Sequence, residues 1–388
     1  MERGNELVIG NSGVGKSTLI NSVLGDEMAE TGYGTTGTTD KLRIYENKDI
    51  PFRIIDTVGF EPSFIKARRA INAVKKWSKD SAKEGNEDSK INVIWYCVEG
   101  TSSKLFPKAI KDFARATNMW RSVPIIVVIT KSYSVPERAR NVEMVNDAFA
   151  KQTRHSKNLK QVIPVVAATY TINETDFAPP EGISELIEQT NELMPEGIKA
   201  GDKDVYKFKL KRKRALAQGI VGVSTTAAVT VGAVPIPFAD ALILHPIEIG
   251  QINGLARLYE VNKNEASKQF LNTIIEVGTV GVAAKTAISA VKAIPGLNIG
   301  ASVLNAIIAG AIVAAIGQGS IYVFEKVYTG EKSIGDLDWV EKVMESNLSS
   351  QFLENVEAII DQVIKSGNTK ELGKLISSLI ENMFNKKT

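Results

Sequence analysis

Eight consecutive residues, Gly10-Asn11-Ser12-Gly13-Val14-Gly15-Lys16-Ser17, have the types and spacing to grip a phosphate chain, fitting G-x-x-x-x-G-K-[ST]. The glycines let backbone N–H groups from Asn11 to Thr18 close around a phosphate, and Lys16 adds a full positive charge to its terminal oxygens. Ser17 offers a hydroxyl to Mg²⁺. A second group, Asp56-Thr57-Val58-Gly59, supplies what a phosphate site with a metal also needs. Asp56 would hold a water of the Mg²⁺ shell, and the Gly59 amide can approach a γ-phosphate because no Cβ intervenes. Between the two lies Thr31-Gly32-Tyr33-Gly34-Thr35-Thr36-Gly37-Thr38-Thr39-Asp40. Thr39 is the favoured hydroxyl to complete the metal shell, with Thr38 and Thr36 behind it. The candidates for chemistry are therefore Lys16, Thr39 and Gly59, and those for the metal are Ser17, Thr39 and, through water, Asp56.

These residues must be held by a strand before the glycine loop and a helix after it. The spacing predicts both, Leu7 to Ile9 and Lys16 to Leu24. Further β-rich runs stand at Leu42 to Tyr45, Phe52 to Ile55, Asn92 to Val98, Ile125 to Ile129 and Val162 to Val166. They alternate with helical stretches near Phe64 to Trp77, 105 to 118, 137 to 152 and 183 to 193. That alternation predicts an α/β domain with a mostly parallel sheet and helices on both faces. Lys79 to Lys90 is polar and reads as a surface loop. Met194-Pro195-Glu196-Gly197 ends the last helix, which puts the domain boundary near residue 197.

With the three motifs in this order, about residues 5 to 194 resemble the Era-like and septin-like side of the translation-factor class of GTPases. The resemblance implies GTP/GDP and Mg²⁺ as ligands and GTP hydrolysis as the activity. It places Thr39 in switch I and Asp56 to Phe60 at the start of switch II. It also assigns base recognition to Thr130-Lys131-Ser132-Tyr133 and to Val166-Ala167-Ala168, which precedes Gly182-Ile183-Ser184-Glu185-Leu186. Two positions depart from the pattern. Tyr133 replaces the aspartate that would accept from guanine N1–H and N2–H₂. Lys131 can still lay its stem along the base, and backbone groups near Ala167 and Ala168 can read O6. Phe60 stands where a water-orienting glutamine would be, which implies slow intrinsic hydrolysis accelerated by self-association across the nucleotide face. The asparagine of cation-dependent relatives would fall at Gly13, which disfavours that route. Lys66, Arg68 and Arg69 either reach a partner's nucleotide or face water.

The second half has a different texture. Lys199 to Arg214 carries eight basic and two acidic residues and reads as a basic linker over 198 to 214. It is followed by the uncharged run Ala215 to Ala239, and a second such run covers Ala293 to Phe324. Amphipathic segments then continue to the end, so that 215 to 388 is predicted all-helical. The segment Ala233-Val234-Pro235-Ile236-Pro237-Phe238-Ala239-Asp240 resembles the domain of unknown function of YcjF-type proteins. That resemblance implies a helical module suspected of membrane contact. Ser224, Ala228 and Gly232, and Ala306, Gly310 and Ala314, form small-residue stripes that suit close helix packing in lipid or in a protein core. Lys211-Arg212-Lys213-Arg214 fits an anchor for anionic headgroups, a grip on RNA phosphates, or a solvated surface.

Composition narrows the partners. The 47 Lys+Arg and 44 Asp+Glu leave a net charge of +3, so attraction to nucleic acid or membrane must come from local clusters. A single cysteine, Cys97, and two distant histidines, His155 and His245, make a zinc site unexpected. No signal-peptide pattern precedes Leu7, so the first half is expected to be cytoplasmic.

Overall fold

The computed structural model describes residues 3–25, 29–31, 42–47, 49–50, 52–57, 72, 74, 90–117, 120, 122–152, 155–173, 176–233, 239–261, 264–280, 300–347, 350–366 and 371–385. Thr39, Gly59, Phe60, Lys66, Arg68, Arg69, most of the predicted helix Phe64 to Trp77, and the Pro235/Pro237 turn lie outside them. The chain divides into two compact units, residues 1–168 with 180–213, and residues 169–179 with 214–388.

The first unit is built on strands β1 (Gly4–Gly10), β2 (Ala29–Thr31), β3 (Leu42–Glu46), β4 (Phe52–Thr57), β5 (Ile91–Glu99), β6 (Ile125–Thr130) and β7 (Leu159–Pro164). They form one sheet in the order β2-β3-β4-β1-β5-β6-β7. β1 pairs in parallel with β4 and β5, and β5-β6 and β6-β7 are parallel too. Toward one edge β3 runs antiparallel to both its neighbours, β2 and β4. Every residue of β1 is buried, as a central strand covered on both faces requires.

Helices α1 (Lys16–Leu24), α2 (Phe106–Ala116), α3 (Val135–Ala150) and α4 (Ile183–Glu192) cover the sheet. Ile110, Phe113, Val145 and Phe149 from α2 and α3 pack on Leu7, Ile9, Ile94, Tyr96 and Val127. Tyr96 stacks on Phe113 with ring centroids 4.0 Å apart. On the opposite face the Trp95 indole donates to the Thr190 hydroxyl of α4 at 2.9 Å. Pro136 sits in the first turn of α3, where its missing N–H costs nothing.

The second unit is helical apart from a short hairpin, β8 (Tyr170–Thr171) and β9 (Phe177–Ala178), which sequence periodicity did not reveal. Its helices are the later part of α5 (Asp202–Gly232), then α6 (Ala239–Leu258), α7 (Glu265–Val280), α8 (Ala301–Tyr328), α9 (Leu337–Asn347), α10 (Ser350–Ser366) and α11 (Leu372–Asn385). The basic segment 198–214 set apart as a linker is helix from Asp202 onward.

Small residues decide how α5 meets α8. A Cβ on Gly317 would lie 2.6 Å from Val221, one on Gly310 would lie 2.6 Å from Val229, and one on Gly232 would lie 2.7 Å from Ala309. The two helices therefore run antiparallel at a separation only glycine allows. Among the described residues two helices, Asp202–Gly232 and Ala301–Tyr328, are long and apolar enough to cross a membrane, and in α8 94% of the apolar window is buried within the protein.

Candidate functional site

The phosphate loop forms where β1 ends and α1 begins. Gly10 pairs with Cys97 on β5, and a Cβ there would stand 2.7 Å from the Cys97 carbonyl oxygen. Gly13 and Gly15 take φ of 81° and 99°, the left-handed region where side chains are strained. A Cβ on Gly13 would meet nothing within 4 Å, so the loop presents bare backbone there. The Lys16 ammonium folds over the loop, donating to the Gly10 carbonyl at 2.8 Å and the Asn11 carbonyl at 3.1 Å. Ser17 and Thr18 are exposed at the start of α1, whose N-terminal N–H groups and dipole favour an anion.

Asp56 stands beside this loop because β4 pairs with β1 in a register that puts it level with Val8. It is buried, and its Oδ1 has no hydrogen-bond partner among the described residues. Burial raises its carboxyl pKa, while the nearby charges of Lys16 and Arg43 pull it down. A buried carboxylate oxygen without a hydrogen-bond partner, near the charge of Lys16, fits a hard divalent cation held by oxygen donors and water. Of the expected metal residues, Ser17 is exposed at the start of α1 and Asp56 is buried on β4, the strand beside β1; Thr39 lies outside the described residues.

A second side of the site comes from the loop after β6. Lys131 has φ of 53°, uncommon for a residue with a side chain. Its ammonium donates to the Gly13 carbonyl at 2.9 Å and to Glu99 Oε1 at 2.8 Å. Glu99 also accepts from the Thr101 hydroxyl at 2.9 Å, and chiefly the Lys131 hydrogen bond holds its carboxyl below the usual range. Thr130, expected at the base, instead turns its hydroxyl inward. It lies 2.5 Å from the Val14 carbonyl oxygen and 3.1 Å from that of Val98, fastening the phosphate loop to the sheet. Ser132 likewise turns inward, donating to the Ile129 carbonyl at 2.7 Å.

The third side is the loop after β7. Val166 and Glu181 exchange both backbone hydrogen bonds, at 3.0 and 2.9 Å. Gly182, at φ 81°, makes the turn into α4 where a Cβ would strike the Pro164 carbonyl at 2.4 Å. Ala167 and Ala168 follow directly. The Ser22 hydroxyl on α1 has two carbonyls within reach of its one proton, that of Ala167 and that of Thr18 at 2.8 Å. Arg212 donates through Nε to the Ser22 carbonyl at 2.9 Å. Its guanidinium fills the space beside Gly25, where a Cβ would be 2.0 Å from Nη1.

Ser22, Glu99 and Glu181 were not found by reading the sequence, because none lies in a motif and each acts on a residue distant along the chain; Arg212 was singled out only as part of a basic cluster. The residues of the basic cluster around Arg212 have partners within the protein, while the Lys211 and Arg214 side chains stay 46% and 61% exposed. Lys211 pairs with Asp49 at 3.0 Å, Arg212 caps α1, Lys213 is 2% exposed, and Arg214 makes two hydrogen bonds to Glu325, at 2.7 and 2.5 Å.

Comparison with known proteins agrees with this geometry. Residues 6–131 match the 50S ribosome-binding GTPase family, and residues 203–363 match a domain of unknown function (DUF697). GTPase Der of Neisseria meningitidis serogroup B is 39% identical over 90 residues, 22% of this chain and 17% of that protein. GTPase Era of Geobacter sp. strain M21 is 24% identical over 195 residues, 49% of this chain and 55% of that protein. The chain thus spans at most about half the length of these relatives. A crystal structure of Era with MgGDPNP and nucleotides 1506–1542 of 16S ribosomal RNA aligns at a TM-score of 0.33 and 21% identity, covering 59% of this chain and 68% of that one. The chain joins a P-loop GTPase domain, similar to those of Era and Der, to a C-terminal DUF697 helical domain.

Proposed function

We propose that the chain is a nucleotide-operated switch that binds GTP with Mg²⁺ and hydrolyses it slowly. The observation that carries this reading is the pairing of the β1–α1 loop, with its left-handed glycines and Lys16, with the buried unpaired oxygen of Asp56 beside it. In this reading the amides of residues 11 to 18 bind the phosphates, and Lys16 leaves its loop carbonyls to neutralise the β and γ oxygens. Ser17 and Asp56 would hold Mg²⁺, which when bound supplies charge neutralisation at the phosphates. Lys131, already laid against Gly13, keeps its stem along the base, and Thr130 keeps the loop in register. Thr39 and the Gly59 amide are the proposed sensors of the γ-phosphate. With Phe60 in place of a polar residue, water is oriented only weakly in the single chain, and a second copy across the nucleotide face supplies the rest.

Lys16→Ala is expected to abolish nucleotide binding in a titration of the full chain; unchanged affinity would refute the assignment. The helical domain is proposed to read nucleotide state at the cytoplasmic side, through a second copy or an anionic membrane surface. Flotation with anionic liposomes in GTP, GDP and no nucleotide, beside sedimentation in the same states, separates the two. The burial of α8 favours a packed helical core over insertion of that helix. A second reading, a ribosome-associated factor, is favoured by the family match of residues 6–131. Cofractionation with ribosomal subunits that weakens steeply with salt would support it. The burial of Arg212 and Lys213 weighs against those two residues as the RNA grip.

A further inference from the structure

We propose that the helical domain binds a single extended alkyl chain, of the kind carried by a fatty acid or another one-chain amphiphile, in a slot along α5. The residues that line the slot all belong to the second compact unit, so this inference is independent of the nucleotide-binding reading.

A cavity of about 460 Å³ opens on α5. Gly219, Gly222, Val223, Thr226, Ala227 and Thr230 line it at helical spacing, so one face of the helix forms its floor. Asp176 and Phe177 of the β8–β9 hairpin, Ile247 of α6 and Lys374 of α11 stand around that floor. In α5 44% of the apolar window is buried, against 94% in α8, so α5 keeps apolar surface that the described residues do not cover.

The glycines on the floor differ from those between α5 and α8. At the crossing of those helices a Cβ on Gly232 would stand 2.7 Å from a neighbour, and one on Gly310 or Gly317 would stand 2.6 Å away. On the floor, a Cβ on Gly219 would meet Thr169 Oγ1 at 3.7 Å and one on Gly222 would meet Ser377 Oγ at 3.9 Å, both ordinary contacts. Glycine inside a helix weakens it relative to alanine. Two glycines standing where internal packing has room for a methyl group fit a ligand that lies close against the α5 backbone.

Dimensions and chemistry select the occupant. Gly219 to Thr230 covers roughly 16 Å of helix axis. A second helix of that length, about 10 Å across, would need more than twice the volume of the cavity. An extended peptide would bring N–H and C=O groups that need partners. The Thr226 and Thr230 hydroxyls are instead spent on the Gly222 and Thr226 carbonyls, at 2.9 and 3.0 Å, and the Ser224 hydroxyl is buried. Asn173 donates to Asp176 at 2.8 Å and Lys374 to Glu371 at 3.1 Å. A methylene chain has no polar group to satisfy, and roughly twelve carbons span the floor. Asp176 and Lys374 put one exposed charge of each sign at the rim, so the chain rather than its head group sets the affinity.

The test is isothermal titration of the full chain with n-alkyl carboxylates of about eight to sixteen carbons, each below its micelle concentration. One chain per protein is expected, with affinity rising about threefold per methylene up to roughly twelve carbons and levelling beyond. Dodecyltrimethylammonium should bind within about fivefold of dodecanoate, the range set by an exposed ion pair. Gly219→Ala and Gly222→Ala should each unfold at a higher urea concentration in the absence of ligand. Gly222→Leu, which projects a side chain over the floor, should weaken dodecanoate binding at least about tenfold. Should it fail to fold, Gly219→Leu reads the same loss. No saturable binding, affinity independent of chain length, or undiminished affinity in a folded leucine variant would overturn the proposal. So would a larger gap between the two head groups, which would mark an ionic site, or a loss of stability in both alanine variants, which would return the glycines to internal packing.

Discussion

Glu6 lies in the middle of β1 with no exposed surface. Its Oε1 accepts the Trp95 N–H at 3.2 Å, and its Oε2 has no partner among the described residues. Burial pushes its pKa well above the usual carboxylate range, and the charge of Asp56 adds to the rise. A carboxyl whose pKa is raised on folding binds more protons folded than unfolded, so stability falls as pH rises from its unfolded value through its folded one. Glu248, buried on α6 and pushed up to about 7, adds a second contribution of the same sign. The protein is therefore expected to gain stability as pH is lowered from about 7 toward 5, and Glu6→Gln should reduce that slope and raise the denaturation midpoint at neutral pH. Urea unfolding at several pH values checks this; an identical slope in the variant would contradict it. Thr130 offers a second test at this scale. Thr130→Val keeps the shape but leaves two buried carbonyls with one donor fewer, a cost of about 1–3 kcal/mol. Because one of them belongs to Val14, nucleotide affinity should fall with stability.

Among elements, α1 illustrates how a locally coded segment acquires its function from distant ones. Its N-terminus is set by Gly15 and Lys16, but its C-terminus is closed by Gly25 at φ 75° and by Arg212 from α5. A cation at a helix C-terminus offsets the free carbonyls there. Gly25→Ala would force a strained backbone and displace the Arg212 guanidinium, and is expected to destabilise by about 2 kcal/mol or more in chemical denaturation. In the helical domain, Gly317→Ala would push α8 off Val221 and the Gln251 side chain, costing about 1–3 kcal/mol by overpacking. Unchanged melting of Gly317→Ala would contradict the close α5–α8 crossing. The small-residue stripes left the environment of these helices open when read from sequence. In the structure the apolar window of α8 is 94% buried under neighbouring helices.

For the whole molecule, binding of a nucleotide to the folded state alone must raise stability by mass action, about 2.7 kcal/mol at a ligand concentration 100 times Kd. Mg²⁺ with GDP is therefore expected to raise the unfolding temperature of the full chain, and Lys16→Ala to show no such shift. EDTA should remove part of the effect if Asp56 holds the metal, and Asp56→Asn should show the reduced shift whether or not EDTA is present. A shift identical in all these cases would place the ligand elsewhere.

What the sequence determined by itself was local. Eight adjacent residues carry the phosphate cradle, and alternating apolar runs and helical stretches carry the α/β order, because turn chemistry and periodicity are properties of neighbours along the chain. The all-helical character of the second half was legible for the same reason. What only the tertiary structure decided is long-range. The antiparallel edge at β2 and β3 and the hairpin at 170–178 depend on pairing. The inward turn of Thr130, the contact of Ser22 with Ala167, and the burial of Arg212 against Ser22 depend on packing across gaps as wide as 190 residues. Side chains of the same type serve as surface or as latch according to what folding brings beside them, and that choice is made by burial and by the requirement that buried polar groups find partners.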